Sequence, residues 1–147
     1  MRGKIDDVTC SEQEDLHGPR WEGLVWSSWH QLDTPEARAI PADPGIYRLR
    51  CRSEPGLIYV GISDRLSSRL GGLRRARGRE DKRGHYAAAC VAAHEDRGKI
   101  VEVSWATVGN LDRRELMGRE VDLIAAHRKL FGNPACQFHG QLELGGL

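Results

Sequence analysis

The sequence predicts an α+β domain. Three observations carry that reading. Two short apolar strands flank a turn between Gly45 and Ile62, a third alternating stretch runs from Lys99 to Val108, and helical spacing recurs after Ser63 and from Asp112 to Phe131.

The first strand runs through Ile46 to Arg52, where Tyr47, Leu49 and Cys51 alternate with Arg48, Arg50 and Arg52. A period of two places one apolar and one basic face on that strand. Ser53-Glu54-Pro55-Gly56 is a turn signal, and Leu57 to Ile62 is the second strand, antiparallel to the first. Tyr59 is expected to share a face with Leu57 and Gly61, so that Tyr47 and Tyr59 point into one cleft.

Ser63 is a candidate N-cap for a helix that starts near Asp64. Leu66, Leu70 and Leu73 form its apolar stripe, Arg65 and Arg69 lie four apart on a flank, and Gly71-Gly72 should end or bend it. A basic run follows, with Arg74, Arg75, Arg77, Arg79, Lys82 and Arg83 against Glu80 and Asp81. An alanine-rich helix is expected from His85 to Asp96, closed by Gly98. The last helix stops at Gly132-Asn133-Pro134.

At 147 residues the chain is long enough for one domain with its own core. The division expected is an arm at 1–40 carrying a Trp-rich segment, a domain at 41–138 and a tail at 139–147. Trp21, Trp26 and Trp29 could pack on the domain or stack on bases, and packing is the commoner use of large aromatics near a terminus. A net charge of +1 excludes a polycation, so any contact with nucleic acid must come from a local patch. Arg65 to Arg83 is such a patch, with a solvated face as its plainer reading. Cys10, Cys51, Cys90 and Cys136 are scattered without metal-finger spacing, which reads as four free, mostly buried thiols and disfavours zinc. No apolar run has signal-peptide or membrane-span length, so a soluble cytoplasmic protein is expected.

Glu120 is the sharpest chemical clue. It falls on the apolar stripe of the last helix, one turn after Leu116 and one turn before Leu123 and Ile124. A carboxylate on such a face must be paired, protonated or bound to a cation. A buried arginine partner and a metal ion fit helix geometry equally well. His127 lies nearby, more as a core histidine than as a partner that orients Glu120.

Gly45-Ile46-Tyr47 and Tyr59-Val60-Gly61, with Arg69, Glu120 and Asn133 following in order, resemble the GIY-YIG nuclease family over roughly residues 40 to 135. Val60 stands for the second motif's isoleucine, and Ile62 stands where many relatives carry a basic residue. The resemblance implies a GIY-YIG-type α/β sandwich, a three-stranded antiparallel sheet flanked by helices. It implies a metal-dependent DNA endonuclease in which Glu120 holds Mg²⁺ or Mn²⁺, Arg69 clamps the scissile phosphate and Asn133 braces the site. One tyrosine would be the general base, Tyr47 ahead of Tyr59. His85 is a candidate auxiliary histidine, although a surface histidine at a helix start is commoner. Arg65, Arg74, Arg75, Arg77, Arg79, Lys82 and Arg83 would track the DNA backbone. Specificity would come from the core, the Trp-bearing arm, a homodimer or a partner protein. Two other readings stay open: a catalytically silent nucleic-acid-binding module on the same fold, and an interaction domain in which Glu120 pairs with Arg69.

Overall fold

The computed structural model describes residues 14–32, 34, 39–76 and 86–137. Its class is α+β, and the described residues form four strands and three α-helices. The strands are β1 (His30–Gln31), β2 (Gly45–Cys51), β3 (Leu57–Ser63) and β4 (Val101–Thr107). The helices are α1 (Leu66–Ala76), α2 (Tyr86–Asp96) and α3 (Arg113–Phe131). All pairings are antiparallel, in the order β1-β4-β2-β3. The sheet thus has one more strand than the three expected. The extra one is a two-residue ladder beside β4, too short for an alternation to announce it. Among the described residues no helix is long and apolar enough to cross a membrane.

The strand pairing of β2 and β3 shifts register between Leu49 and Arg50, whose partners are Tyr59 and Leu57. Ile58 is the extra residue of this bulge. It breaks the simple alternation, so Leu57 packs in the cluster on one face while Tyr59 packs against the cluster on the other. Tyr59 therefore does not share a face with Leu57, but it does meet Gly61 and Tyr47, as expected.

Two cores sandwich the sheet. On one side Tyr47, Leu49 and Cys51 meet the α1 stripe of Leu66, Leu70 and Leu73 and the α2 residues Ala87, Ala88 and Val91. That stripe carries α1 straight through Gly71 and Gly72, where a break was expected. Burying each leucine contributes about 1.5–3 kcal/mol, against roughly 1 kcal/mol lost per helical glycine. Leu66 N and Ser67 N donate to the carbonyls of Asp43 and Pro41 at 3.0 Å, so the loop before β2 satisfies the open end of α1.

On the other side Ile46, Val60 and Ala106 pack with Leu116, Leu123 and Ile124 of α3 and with Leu16, Trp21 and Trp26. The Trp-bearing segment is thus built onto the sheet, as the packing reading of the tryptophans expected. It also covers the strand face expected to be basic. Arg48 is fully buried there, donating to the carbonyls of Leu16 and Gly18 at 2.7 and 2.8 Å. Its guanidinium lies 4.3 Å from the Trp26 ring centroid and 4.5 Å from that of Trp29. Arg50 and Arg52 both pair with Glu102, at 2.9 and 3.1 Å.

The edge of β3 is closed by the segment after α3. Cys136 N donates to Ile58 O at 2.7 Å, and the Gln137 amide exchanges two 2.8 Å hydrogen bonds with the backbone of Val60. A disulfide from Cys136 to Cys90 of α2 ties this segment across the sheet. The expectation of four free thiols is corrected on that point. The bonded pair is 46 residues apart in the chain, a contact that spacing could not show. Cys51 is a free buried thiol; Cys10 lies outside the described residues.

Candidate active site

α3 opens on a capping box: Asp112 accepts from Glu115 N at 2.8 Å, and the Glu115 side chain accepts from Asp112 N. This cap and the buried Leu116, Leu123 and Ile124 fix the helix, and with it Glu120, against β3. At its far end His127 accepts from Leu57 N at 2.8 Å and bonds the Gly132 carbonyl at 2.5 Å. Burial holds its pKa below the ordinary histidine value. His127 pins the helix end to β3 and takes the core role, not that of a partner for Glu120.

Glu120, Arg69 and Tyr59 meet in one cleft of about 620 Å³ between β3, α1 and α3. Ser63, Asp64, Arg65, Ser68 and Arg113 also line it. Arg65, just before α1, and Arg69, in its first turn, both line it. Arg113 pairs with Asp64 at 3.1 Å across the mouth. Glu120 is partly buried, and burial raises its pKa above the ordinary carboxylate value while Arg113 and Arg69 oppose the rise.

Tyr47 does not reach the cleft; it is fully buried just behind it. Arg69 Nε donates to Tyr47 Oη over a long 3.4 Å, and the two tyrosine rings lie 5.9 Å apart. Burial pushes the Tyr47 pKa far above the ordinary tyrosine value. Burial also raises that of Tyr59, while the Arg69 charge and hydrogen bonds from Arg69 and Tyr47 work the other way. The nearness of the two phenols raises the Tyr47 pKa further and lowers that of Tyr59, so an anion forms more readily on Tyr59.

Both motif glycines answer to packing. A Cβ on Gly45 would clash with the Ala106 carbonyl and lie 2.5 Å from Leu66 Cδ1; one on Gly61 would lie 2.5 Å from the Tyr47 hydroxyl. The strands can therefore carry the tyrosines and the α1 stripe at close approach.

The remaining predicted residues gather less tightly. Asn133 is exposed, and its Oδ1 accepts from Arg128 Nε at 2.8 Å. It does not line the cleft, so the expected brace on the site is not seen there. Arg74 and Arg75 sit in the last turn of α1, away from the cleft lining. Arg77, Arg79, Lys82, Arg83 and His85 lie outside the described residues. Sequence reasoning passed over Ser63, Asp64, Ser68 and Arg113. Arg113 carried a usable signal, since it lies two helical turns before Glu120 and therefore on the same face.

No family model matches the sequence. No curated protein matches it either. Among solved structures the chain is similar to the GIY-YIG N-terminal endonuclease domain of UvrC from Thermotoga maritima, bound to its catalytic divalent cation, magnesium. That likeness has 24% identity and a TM-score of 0.43 and covers 63% of this chain and 86% of the other. It is also similar to a mutant of bacteriophage T4 EndoII, at 18% identity and a TM-score of 0.48, over 88% of this chain and 96% of the other.

Proposed function

We propose that the chain is a metal-dependent DNA endonuclease of the GIY-YIG type. One observation carries the reading: three separate elements bring Tyr59, Arg69 and Glu120 to one solvent-accessible cleft. The order of these residues in the sequence, with both motif words, supports the same family.

The donor set suits a hard divalent cation. The cleft offers the Glu120 carboxylate with hydroxyl and carboxylate oxygens around it, and its one sulfur is the weakly ligating Met117 thioether. Glu120 is the residue that would hold Mg²⁺ or Mn²⁺; Arg113 pairs with Asp64 at the cleft, and its charge also favours the Glu120 carboxylate. When bound, the ion would supply charge stabilisation at the phosphate and leaving oxygen.

Tyr59 is the better general base, which reverses the order expected from sequence. It lines the cleft, and Arg69 and Tyr47 both stabilise its anion. In the proposed step a water molecule gives a proton to the Tyr59 phenolate. The water oxygen forms a new bond to phosphorus, and the bond from phosphorus to the leaving sugar oxygen breaks. Arg69 and Arg65 clamp the phosphate as charge-assisted donors. Tyr47 is a positioning residue that acts through Arg69 and Tyr59.

The experiment is cleavage of supercoiled plasmid with Mg²⁺ by the wild-type chain and by Glu120→Gln at equal folded concentration. Nicking by the wild type alone is the expected result. Equal cleavage by both, or none by the wild type on supercoiled, linear and branched DNA, would sink the assignment. Salt-sensitive DNA binding without cleavage would favour the silent binding module.

A further inference from the structure

Tyr59 is held from both edges of β3. Toward β2 its partner is Leu49. On the outer edge, the backbone groups that flank it are taken by the segment after α3. Cys136 N donates to Ile58 O at 2.7 Å. The Gln137 side chain accepts from Val60 N and donates to Val60 O, each at 2.8 Å. An amide that accepts and donates in this way stands in for a neighbouring strand.

A turn and a covalent bond keep the segment there. Gln137 N donates to Pro134 O at 3.0 Å. The Cys136 sulfur is bonded to Cys90 of α2, on the face against which Tyr59 packs. Gln137 thus follows directly on a residue that is covalently fixed. Cys136 is fully buried, whereas Cys90 is only partly buried, so a small dithiol has its approach from the α2 side. With the bond cut, the hydrogen bonds to Ile58 and Val60 compete with water at a strand edge.

These contacts bear on chemistry because Tyr59 lines the cleft with Arg69 and Glu120. A misplacement of about 1 Å in such a group costs on the order of a hundredfold in rate.

We propose that Gln137 is a positioning residue for Tyr59 and that the Cys90–Cys136 disulfide is a redox lock on it, so that reduction releases the segment and slows cleavage. The proposal rests on the nuclease reading of the cleft. In the reduction, one thiolate of a dithiol attacks Cys90 Sγ, and Cys136 leaves as a thiolate that takes up a proton. The second thiol of the reductant then closes its own disulfide and releases Cys90 as a thiol. Two electrons and two protons pass to the protein in all.

The test uses the full chain, oxidised and then reduced by dithiothreitol, with thiols counted in each state. Turnover on supercoiled plasmid, DNA affinity and amide hydrogen exchange are measured on both. Reduction should lower turnover by about ten- to a hundredfold while DNA affinity stays the same. The Val60 amide should exchange faster while the β2 amides keep their protection, and reoxidation should restore both. Gln137→Met, with its disulfide intact, should show the same loss of turnover and of Val60 protection. A folded, reduced chain that keeps Val60 protection overturns the proposal, as does a disulfide that resists the reductant. Exchange that rises equally across β2 would make the bond a staple of the whole fold and overturn it too. A wild type that cuts no DNA in either state sinks the nuclease reading instead, and Val60 exchange alone then decides the lock. If Gln137→Met fails to fold, the reduced wild type decides.

Discussion

Gly61 is the space that the Tyr47 side chain occupies: a Cβ there would stand 2.5 Å from both Cζ and Oη of Tyr47, and 2.8 Å from Cε1 of Tyr59. Tyr47 is fully buried and cannot swing away. Gly61→Ala is therefore expected to destabilise the fold by about 1–3 kcal/mol, the usual cost of overpacking. It should also disturb both phenols at once. Urea denaturation reads the first effect and plasmid nicking the second. A variant as stable and as active as wild type would show that the tyrosines are not held by this contact.

The two tyrosines should separate by pH. Tyr59→Phe removes the proposed base, with an expected rate loss of about 10²–10⁴-fold at any pH. Tyr47→Phe removes the neighbouring hydroxyl that lowers the Tyr59 pKa, so its loss should be large near neutrality and shrink as pH rises. The wild-type rate should climb into the alkaline range, because burial raises the Tyr59 pKa. Rate profiles of the three proteins on one plasmid check this. A Tyr59→Phe enzyme that keeps its rate while Tyr47→Phe loses it at every pH would restore Tyr47 as the base.

The strands, helices and cleft residues that repeat a local period were legible in the sequence. Tyr47, Tyr59, Arg69 and Glu120 each sat on the expected element, because alternation and helical spacing are local signals. What escaped was set by distant contacts. Arg48 read only as part of a basic strand face, since nothing local reveals that Trp26 and Trp29 close over it. The bulge at Ile58 was invisible because Leu57 to Ile62 offers apolar residues to both faces. Cys90 and Cys136 looked unrelated because the fold, not the spacing, brings them together. The depth difference between Tyr47 and Tyr59 depends on Gly61 and α1 together, so the motif words alone could not rank them.

Arg48 should matter to stability far from any chemistry. Arg48→Ala leaves the Leu16 and Gly18 carbonyls without their donors and empties the space between two indoles. A loss of about 3 kcal/mol is expected, the scale for breaking one side of a buried charged network. The near-ultraviolet signal of the tryptophans should change with it. A shift in the urea midpoint no larger than that of an exposed arginine would contradict this account.

DNA affinity should fall with salt, with a slope of about 0.9 per phosphate neutralised. Arg65 lines the cleft next to Arg69, and its bonds to Ser63 and Arg69 are made by its backbone, not its guanidinium. Arg65→Ala is expected to lower that slope by about one contact while leaving the melting temperature near wild type. Fluorescence anisotropy across a salt series measures it. An unchanged slope would remove Arg65 from the DNA-binding surface.

Glu120 links metal and pH most directly. Its pKa is raised, chiefly by burial, so the folded metal-free chain holds this proton more tightly than the unfolded chain does. The sign follows: this group favours the fold at low pH, and that contribution is lost as pH rises through the raised folded value. Glu120→Gln should abolish that part of the pH dependence in the metal-free protein. Magnesium reverses the balance, since a cation bound to the carboxylate stabilises the fold by about 2.7 kcal/mol at one hundred times its Kd. Thermal melts with and without magnesium should therefore show a rise for wild type and none for Glu120→Gln. Cleavage in the variant should drop by at least about 10²-fold, the scale of lost charge stabilisation in a transition state. Equal magnesium-induced shifts in the two proteins would place the cation elsewhere.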